Sequence, residues 1–363
     1  MTRRIWRIPL FAIAVLSMAW GIWLGLLRLG WALPLPWPDQ LVLHGPLMIG
    51  GFLGTLIGLE RAIGLAKPWA YLAPICSASG ALALVAGAPP PVGSLLISLS
   101  SLIVAIVFVF VSRREPSLWT STMLIGALGW IVGNIMWLTG AAIYREVPYW
   151  IGFVVLTIAG ERLELGRVVQ LPPRVHTFFG FAMAATVGGV IIQSVAPMVG
   201  ARAMAVGLLA LALWLVRYDL ARRTVRQKGL TRFIAVCLLT GYLWLGVAGG
   251  LLFVTTEIMP SPTYDAILHS IFIGFVVSMI FGHAPIVLPA ITAMPLPYRP
   301  IAYLSFLVLQ ASVALRLFGD LVDELGRFRA WGGLLSTIAI VLFVVTTARA
   351  VAAGRSGRHA LLP

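Results

Sequence analysis

The run VGSLLISLSSLIVAIVFVFVS at residues 92–112 decides the class of fold, because it contains no charged side chain. It is long enough to cross a bilayer as one helix, which takes about 20 apolar residues. Similar runs recur along the chain of 363 residues, of which 60% are hydrophobic and 10% charged. An ordinary soluble domain is about 25% charged. This composition excludes a soluble enzyme and a disordered protein, and it predicts an all-α polytopic membrane protein.

Twelve apolar runs, separated by clusters of proline and glycine, predict 12 transmembrane helices. Cys76 and Cys237 each lie inside one of these runs, a pattern that is neither a disulfide framework nor a metal motif. We expect the helices at about 9–33, 39–64, 69–87, 92–112, 118–143, 147–165, 175–196, 200–217, 231–256, 264–290, 299–318 and 328–350.

The basic residues predict how these helices are oriented. Most of the 26 lysines and arginines fall in segments that are cytoplasmic if the N-terminus is inside, among them the loop from Arg217 to Arg232. This bias follows the positive-inside rule and predicts that both the N- and C-termini are cytoplasmic. The formal net charge of +14 therefore reflects topology and contact with membrane lipid, and not binding to nucleic acid.

The second, sixth and tenth predicted helices share a Gly-Phe pair, followed nine residues after the glycine by Glu60, Glu161 or His283. The three helices are four spans apart and run in the same direction, which predicts three pseudo-symmetric four-helix units. These pseudo-repeats cover about 1–112, 113–217 and 218–350 of a single transmembrane domain, 1–363. The alternative is a chance alignment of small residues that serve close helix packing. The three pairs are Gly51-Phe52, Gly152-Phe153 and Gly274-Phe275.

Two histidines are the main candidates for chemistry. His44 and His269 each lie about one turn inside the outer end of a predicted helix, the second and the tenth. An imidazole in an apolar span is costly unless a partner satisfies it, and one histidine from each of two facing helices is the arrangement of a bis-histidine haem. Met48 is an alternative iron ligand, and Asp265 is a candidate to orient His269. Gly51, on the same stripe as His44, is expected to make room for the porphyrin.

Two alternatives stay open for the histidines. In the first, His44 and His269 each form a hydrogen bond only to a neighbouring helix or to an interfacial water. In addition, a weaker inner metal site, holding copper or a second haem, is predicted at His283 and His176. The alternative there is a purely structural cluster of Glu–Arg pairs that fixes the inner helix ends.

The pattern His44-x3-Met48-x2-Gly51-Phe52 resembles a stretch of the NnrS-like family, and His269-x4-Gly274-x4-Met279 is similar to a late motif of that family. Pro46 and Leu47 stand where that family usually has a second histidine and a glutamate. The resemblance implies a protein of the bacterial cytoplasmic (inner) membrane that binds haem, of b type, between helices 2 and 10. It also implies copper binding and a role in the nitric-oxide response, in nitric-oxide tolerance or in membrane electron transfer.

A broader resemblance is to subunit I of the haem–copper oxidases, which has 12 helices in three arcs and a haem held by histidines of helices 2 and 10. The copper ligands of that family have no counterpart here, since His176 stands alone. A complete binuclear oxidase site is therefore not expected, and redox or nitric-oxide-handling activity stays an open prediction.

The competing function is that of a secondary transporter, because 12 spans with both ends inside is also a common transporter layout. The loop Gly58-Leu59-Glu60-Arg61 faintly resembles the Gly-x3-Asp-Arg loop of the major facilitator superfamily. Against this, the predicted repeat is three units of four helices, and few polar groups lie at mid-depth. Asn134 is interpreted as a helix-packing hydrogen bond. The sequence decides neither the physiological ligand nor the oligomeric state.

Overall fold

The computed structural model describes residues 7–256, 258–294, 296–322 and 326–359, and all regular structure in these ranges is helical. A short helix, Ala221–Thr224, lies between the long helices Pro197–Tyr218 and Gly229–Val254. The long helices are α1 (Arg7–Arg28), α2 (Asp39–Leu65), α3 (Pro68–Val85), α4 (Pro90–Arg114), α5 (Leu118–Leu138), α6 (Ile143–Gly166), α7 (Pro173–Ile192), α8 (Pro197–Tyr218), α9 (Gly229–Val254), α10 (Pro262–Thr292), α11 (Ala302–Leu321) and α12 (Arg327–His359).

Within the described ranges, 11 of these helices are long and apolar enough to cross a membrane. The exception is α6, which carries charged residues near both ends and contains the predicted span 147–165. The all-α, multi-pass membrane class is therefore confirmed, whereas a twelfth span stays a prediction.

Helix α4 shows why the bundle belongs in lipid. Leu95, Leu99, Leu102 and Ile106 form a stripe along one face and are between 42% and 49% exposed. The opposite face is buried and includes two serines, Ser100 and Ser101, each 0% exposed. A continuous row of exposed large apolar side chains is unfavourable in water and matches contact with hydrocarbon.

The helix ends follow ordinary capping chemistry. Helix α5 begins after Ser117, whose side chain and that of Thr120 form a reciprocal capping box. Helix α10 begins with Pro262 at its first position, and Ser261 Oγ accepts a hydrogen bond from the main-chain nitrogen of Tyr264 at 3.2 Å. These local signals place the helix starts close to the positions that the sequence predicts.

The contacts divide the chain into two compact units, Met1–Glu161 and Arg162–Pro363, with the division inside α6. In the N-terminal unit, α2 packs against α1, α3 and α4, and α4 packs against α5. In the C-terminal unit, α7 packs on α8, α8 on α9, α9 on α10, and α11 on both α10 and α12. Each unit therefore contains one of the two helices that carry the candidate histidines.

Both of these helices contain a π-helical segment, Leu47–Gly54 in α2 and Ser270–Val277 in α10. The repeated Gly-Phe pair occupies the same place in each, because Gly51 and Gly274 are the fifth residues of their segments. Such segments are rare and frequently occur at functional sites. The third Gly-Phe pair lies in α6, which has no π-helical segment in its described residues.

Candidate functional site

His44 lies in α2, just before the π-helical segment, and its ring faces α1. Its Nδ1 is 2.7 Å from the main-chain oxygen of Gly21. A carbonyl only accepts, so Nδ1 carries a hydrogen, and in the neutral ring Nε2 would then have the lone pair. Glycine is needed beside the ring, since a methyl group at Gly25 would lie 2.9 Å from His44 Cε1.

Met48 and Gly51 lie on the same face of α2 as His44, as the sequence predicts. A methyl group at Gly21 would lie 2.9 Å from Met48 Sδ, so Met48 also packs on α1. A methyl group at Gly51 would collide with Ser17 Oγ of α1 and lie 2.9 Å from Ala81 Cβ of α3. These side chains fill the space that the sequence analysis assigned to a porphyrin, so Gly51 serves close helix packing here.

Two serines support the backbone of the π-helical segment in α2. Ser17 Oγ donates to the main-chain oxygen of Leu47 at 2.9 Å, and Ser77 Oγ of α3 donates to that of Gly50 at 2.6 Å. Both serines are buried. Their hydrogen bonds tie the segment next to His44 to its two neighbouring helices.

His269 is the residue immediately before the π-helical segment of α10, and Asp265 orients it. The Nδ1 of His269 is 2.9 Å from the main-chain oxygen and 3.2 Å from Oδ1 of Asp265. Both oxygens accept, so Nδ1 again carries a hydrogen. The prediction that Asp265 is the partner of His269 is confirmed.

Arg316 of α11 completes this group and was not predicted. Its Nε and Nη2 donate to the two carboxylate oxygens of Asp265 at 2.8 and 3.0 Å, and only 7% of the residue is exposed. A second, longer ion pair joins α11 to α12, where Arg329 Nη1 is 3.7 Å from Asp320 Oδ1. Arg316 was missed because it is 51 residues from Asp265. It stands near the end of a predicted span and was therefore interpreted as a topology signal.

The predicted inner pair, His283 and His176, does not lie on neighbouring helices. His283 donates from Nδ1 to the main-chain oxygen of Met279 at 2.8 Å, within α10. His176 is on α7, which packs against α8, whereas α10 packs against α9 and α11. In the described part of the chain, no group of three or more histidine, cysteine or acidic residues is placed to hold a metal ion.

Glu–Arg pairs do join helix ends, as the structural alternative predicted. Arg61 of α2 pairs with Glu161 of α6 and is 3.4 Å from Glu60. In the C-terminal unit, Arg162 donates to both carboxylate oxygens of Asp219 at 2.8 and 3.0 Å, with both side chains buried. These pairs fix the ends of α2, α6 and α8.

Two polar groups lie deep in the N-terminal unit. Asn134 Oδ1 of α5 accepts a hydrogen bond from Trp150 Nε1 of α6 at 3.0 Å, which confirms its predicted role in helix packing. One turn before Trp150, Glu146 is 0% exposed, and neither of its carboxylate oxygens has a hydrogen-bond partner among the described residues. Glu146 was not predicted, because it stands just outside the predicted span 147–165, beside Arg145.

The fold and these groups define an all-helical, multi-pass membrane protein whose two π-bearing helices each present an oriented histidine. Residues 7–352 match a family described as a domain of unknown function (DUF8744), and the chain belongs to that family. No curated protein matches the chain.

Proposed function

We propose that the chain is a haem-binding protein of the bacterial cytoplasmic membrane, with His44 and His269 as the iron ligands. The observation that carries this proposal is the hydrogen bonding of the two imidazole rings. Each donates from Nδ1 to a main-chain carbonyl, at 2.7 Å to Gly21 and at 2.9 Å to Asp265. Histidines that ligate metals almost always donate their other ring N–H in this way, which fixes the tautomer and raises the basicity of Nε2.

The donor atoms of the two histidines fit a haem of b type, whereas the space beside Gly51 is filled and does not. Two neutral imidazoles are a common ligand pair for haem iron, and Met48 is a substitute beside His44. The only cysteines, Cys76 and Cys237, are far apart in sequence, so the chain has no Cys-x-x-Cys-His motif for covalent attachment. When bound, the haem supplies one-electron chemistry and an iron that can take nitric oxide. The chain itself holds the imidazoles in place through Gly21, Asp265 and Arg316.

The packing of α1–α4 and α9–α12 supports the three-unit repeat that goes with this function. In each set, a side chain of the first helix packs on the π-helical glycine of the second helix. In α1–α4 this is Ser17 on Gly51. In α9–α12 it is Trp244 on Gly274, where a methyl group would lie 2.6 Å from Trp244 Cγ. In each set, the third helix donates a hydrogen bond to the second, from Ser77 in α3 and from Gln310 in α11. We propose that α6 is the twelfth span, in the middle unit, and that both termini are cytoplasmic.

The resemblance to NnrS-like proteins suggests what the haem is for. Nitric-oxide tolerance would use an iron with a ligand that can dissociate, whereas membrane electron transfer would use an iron that keeps both ligands. Nδ1 of His44 donates to the main-chain oxygen of Gly21, and the ring lies beside Gly25 of α1. His269 is held through Asp265, and Arg316 holds Asp265 in turn.

Absorption spectroscopy of the purified protein tests the proposal. Protein from cells supplied with haem should show a Soret band and the split visible bands of a low-spin iron after reduction. His44→Ala and His269→Ala should each lose these bands, whereas the matched variants His176→Ala and His283→Ala should keep them. A colourless protein, or full haem content in His44→Ala and His269→Ala, would contradict the proposal.

Glu146 favours transport as the second candidate function. Carboxylates buried in membrane proteins commonly mark proton or ion pathways, and this one has no hydrogen-bond partner in the described residues. A colourless protein that moves protons across liposomes, and loses this flux in Glu146→Gln, would establish the transporter and exclude the haem protein.

A further inference from the structure

An open cavity of about 540 Å³ lies at the start of α9, away from both candidate histidines in sequence. Its walls come from the N-terminal turn of α9, the segment before α11 and the first turns of α11. Lys228, Arg232, Tyr298 and Tyr303 line it together, so two cations and two phenols meet in one recess. All of these residues belong to the C-terminal unit.

The polar side of the cavity is suited to an anion. Neither Lys228 nor Arg232 forms an ion pair with an acid of the described ranges, and the described lining contains no carboxylate. Burial raises the pKa of the Tyr298 phenol, which therefore stays a neutral hydrogen-bond donor. Two cations and a phenolic O–H match the oxygens of a phosphate group.

A buried aromatic side chain holds the phenols in position. Phe233 of α9 is 1% exposed, and its ring centroid lies 6.0 Å from that of Tyr298 and 5.1 Å from that of Tyr303. The contact with Tyr303 is edge-to-face. The recess is therefore shaped by the packing of α9 against α11 and does not depend on long flexible side chains alone.

The other side of the cavity is apolar and continues toward the lipid-facing surface. Val236 of α9 and Leu307 of α11 line it, and Leu307 is 61% exposed. Leu304, one turn nearer the start of α11, is also exposed. A free phosphate ion would use only the basic side, whereas a phospholipid would place its phosphate there and its acyl chain along Val236 and Leu307.

We propose that this cavity binds an anionic phospholipid, with the phosphate between Arg232 and Lys228 and an acyl chain between α9 and α11. The preceding loop adds Arg222, Arg223 and Arg226, which favour a negatively charged headgroup over a zwitterionic one. The loop is on the cytoplasmic side in the predicted topology, where anionic lipids concentrate.

Titration of the full-length, delipidated protein in a neutral detergent tests this site. A short-chain phosphatidylglycerol should bind saturably, and phosphatidylcholine and inorganic phosphate should each bind at least tenfold more weakly. Arg232→Gln should weaken phosphatidylglycerol binding by roughly tenfold, since it removes a charged hydrogen-bond donor. The charge-matched control Arg174→Gln removes an exposed arginine at the start of α7, outside the cavity and its basic loop, and should change binding less than twofold.

Other variants keep the proposal testable if Arg232→Gln folds poorly. Tyr303→Phe retains the ring that packs on Phe233 and should weaken binding by a few fold, and Arg232→Lys should retain part of the affinity. Equal losses in Arg174→Gln and Arg232→Gln would show general charge attraction and overturn the site. Binding of inorganic phosphate as tightly as phosphatidylglycerol would overturn the lipid assignment.

Discussion

Arg316 and Asp265 form a two-point ion pair between α11 and α10, with donor–acceptor distances of 2.8 and 3.0 Å. The same aspartate orients His269 through its main-chain oxygen and its Oδ1. Asp265 thus joins the buried guanidinium of Arg316 to His269, the candidate iron ligand. Any change at Arg316 should therefore affect both stability and the histidine.

Breaking this pair on one side is expected to cost more than removing it entirely. Asp265→Asn leaves the Arg316 cation buried without its counter-charge, which should lower the free energy of unfolding by about 3 kcal/mol. The double variant Asp265→Leu/Arg316→Met should lose less, because no buried charge is left unpaired. Thermal unfolding in detergent measures both. If the double variant is less stable than Asp265→Asn, the unpaired buried charge of Arg316 is not the main cost, and the prediction is wrong.

Gly25 should control haem content without being a ligand. A methyl group there would lie 2.9 Å from His44 Cε1, so Gly25→Ala must displace the ring and lengthen its hydrogen bond to Gly21. We expect a several-fold loss of bound haem, measured as the ratio of Soret to protein absorbance. Gly188→Ala on α7 is the control, because nothing lies within 4 Å of the added methyl group. Equal haem content in the two variants would show that the position of His44 does not matter.

Gly51 should be intolerant of alanine because of packing. The added methyl group collides with Ser17 Oγ, so Gly51→Ala should destabilise the protein by about 1–3 kcal/mol, the usual cost of overpacking. Ser17→Ala loses the hydrogen bond to Leu47, at about 1 kcal/mol, but removes the atom that collides. The double variant should therefore be more stable than the sum of the two losses predicts. Strict additivity in thermal unfolding would argue against the direct contact.

The helices were predictable where one continuous apolar run decides them. Helix α4 extends only two residues beyond each end of the predicted run 92–112. The π-helical segments were not predictable, because they depend on side chains from other helices, such as Ser17 and Trp244, which lie close to Gly51 and Gly274. A sequence pattern shows which face of a helix is apolar but not which helix covers it.

The candidate site was predictable in its local part only. Asp265 stands one turn before His269, so helical spacing alone paired them. Arg316 is 51 residues from its partner, and no spacing rule connects the two. Gly51 was correctly placed on the stripe of His44, but the sequence could not show that Ser17 fills the adjacent space.

Glu146 offers the last prediction, since it bears on the choice between the two functions. Its carboxylate is 0% exposed and has no hydrogen-bond partner in the described residues. Burying an unpaired carboxylate costs more than burying an amide of the same shape. If Glu146 only packs against α5, Glu146→Gln should therefore unfold at the same temperature as the unchanged protein or at a higher one, with the same haem content.

The companion variant Glu146→Lys places a longer cation in the same site and should destabilise the protein by several kcal/mol. Thermal unfolding and haem absorbance, measured on the same samples, separate the cases. Lower stability in Glu146→Gln than in the unchanged protein would mean that the carboxylate is needed as an acceptor, as expected for a group that binds a proton or a cation. In that case, proton flux in liposomes is the measurement that decides between a haem protein and a transporter.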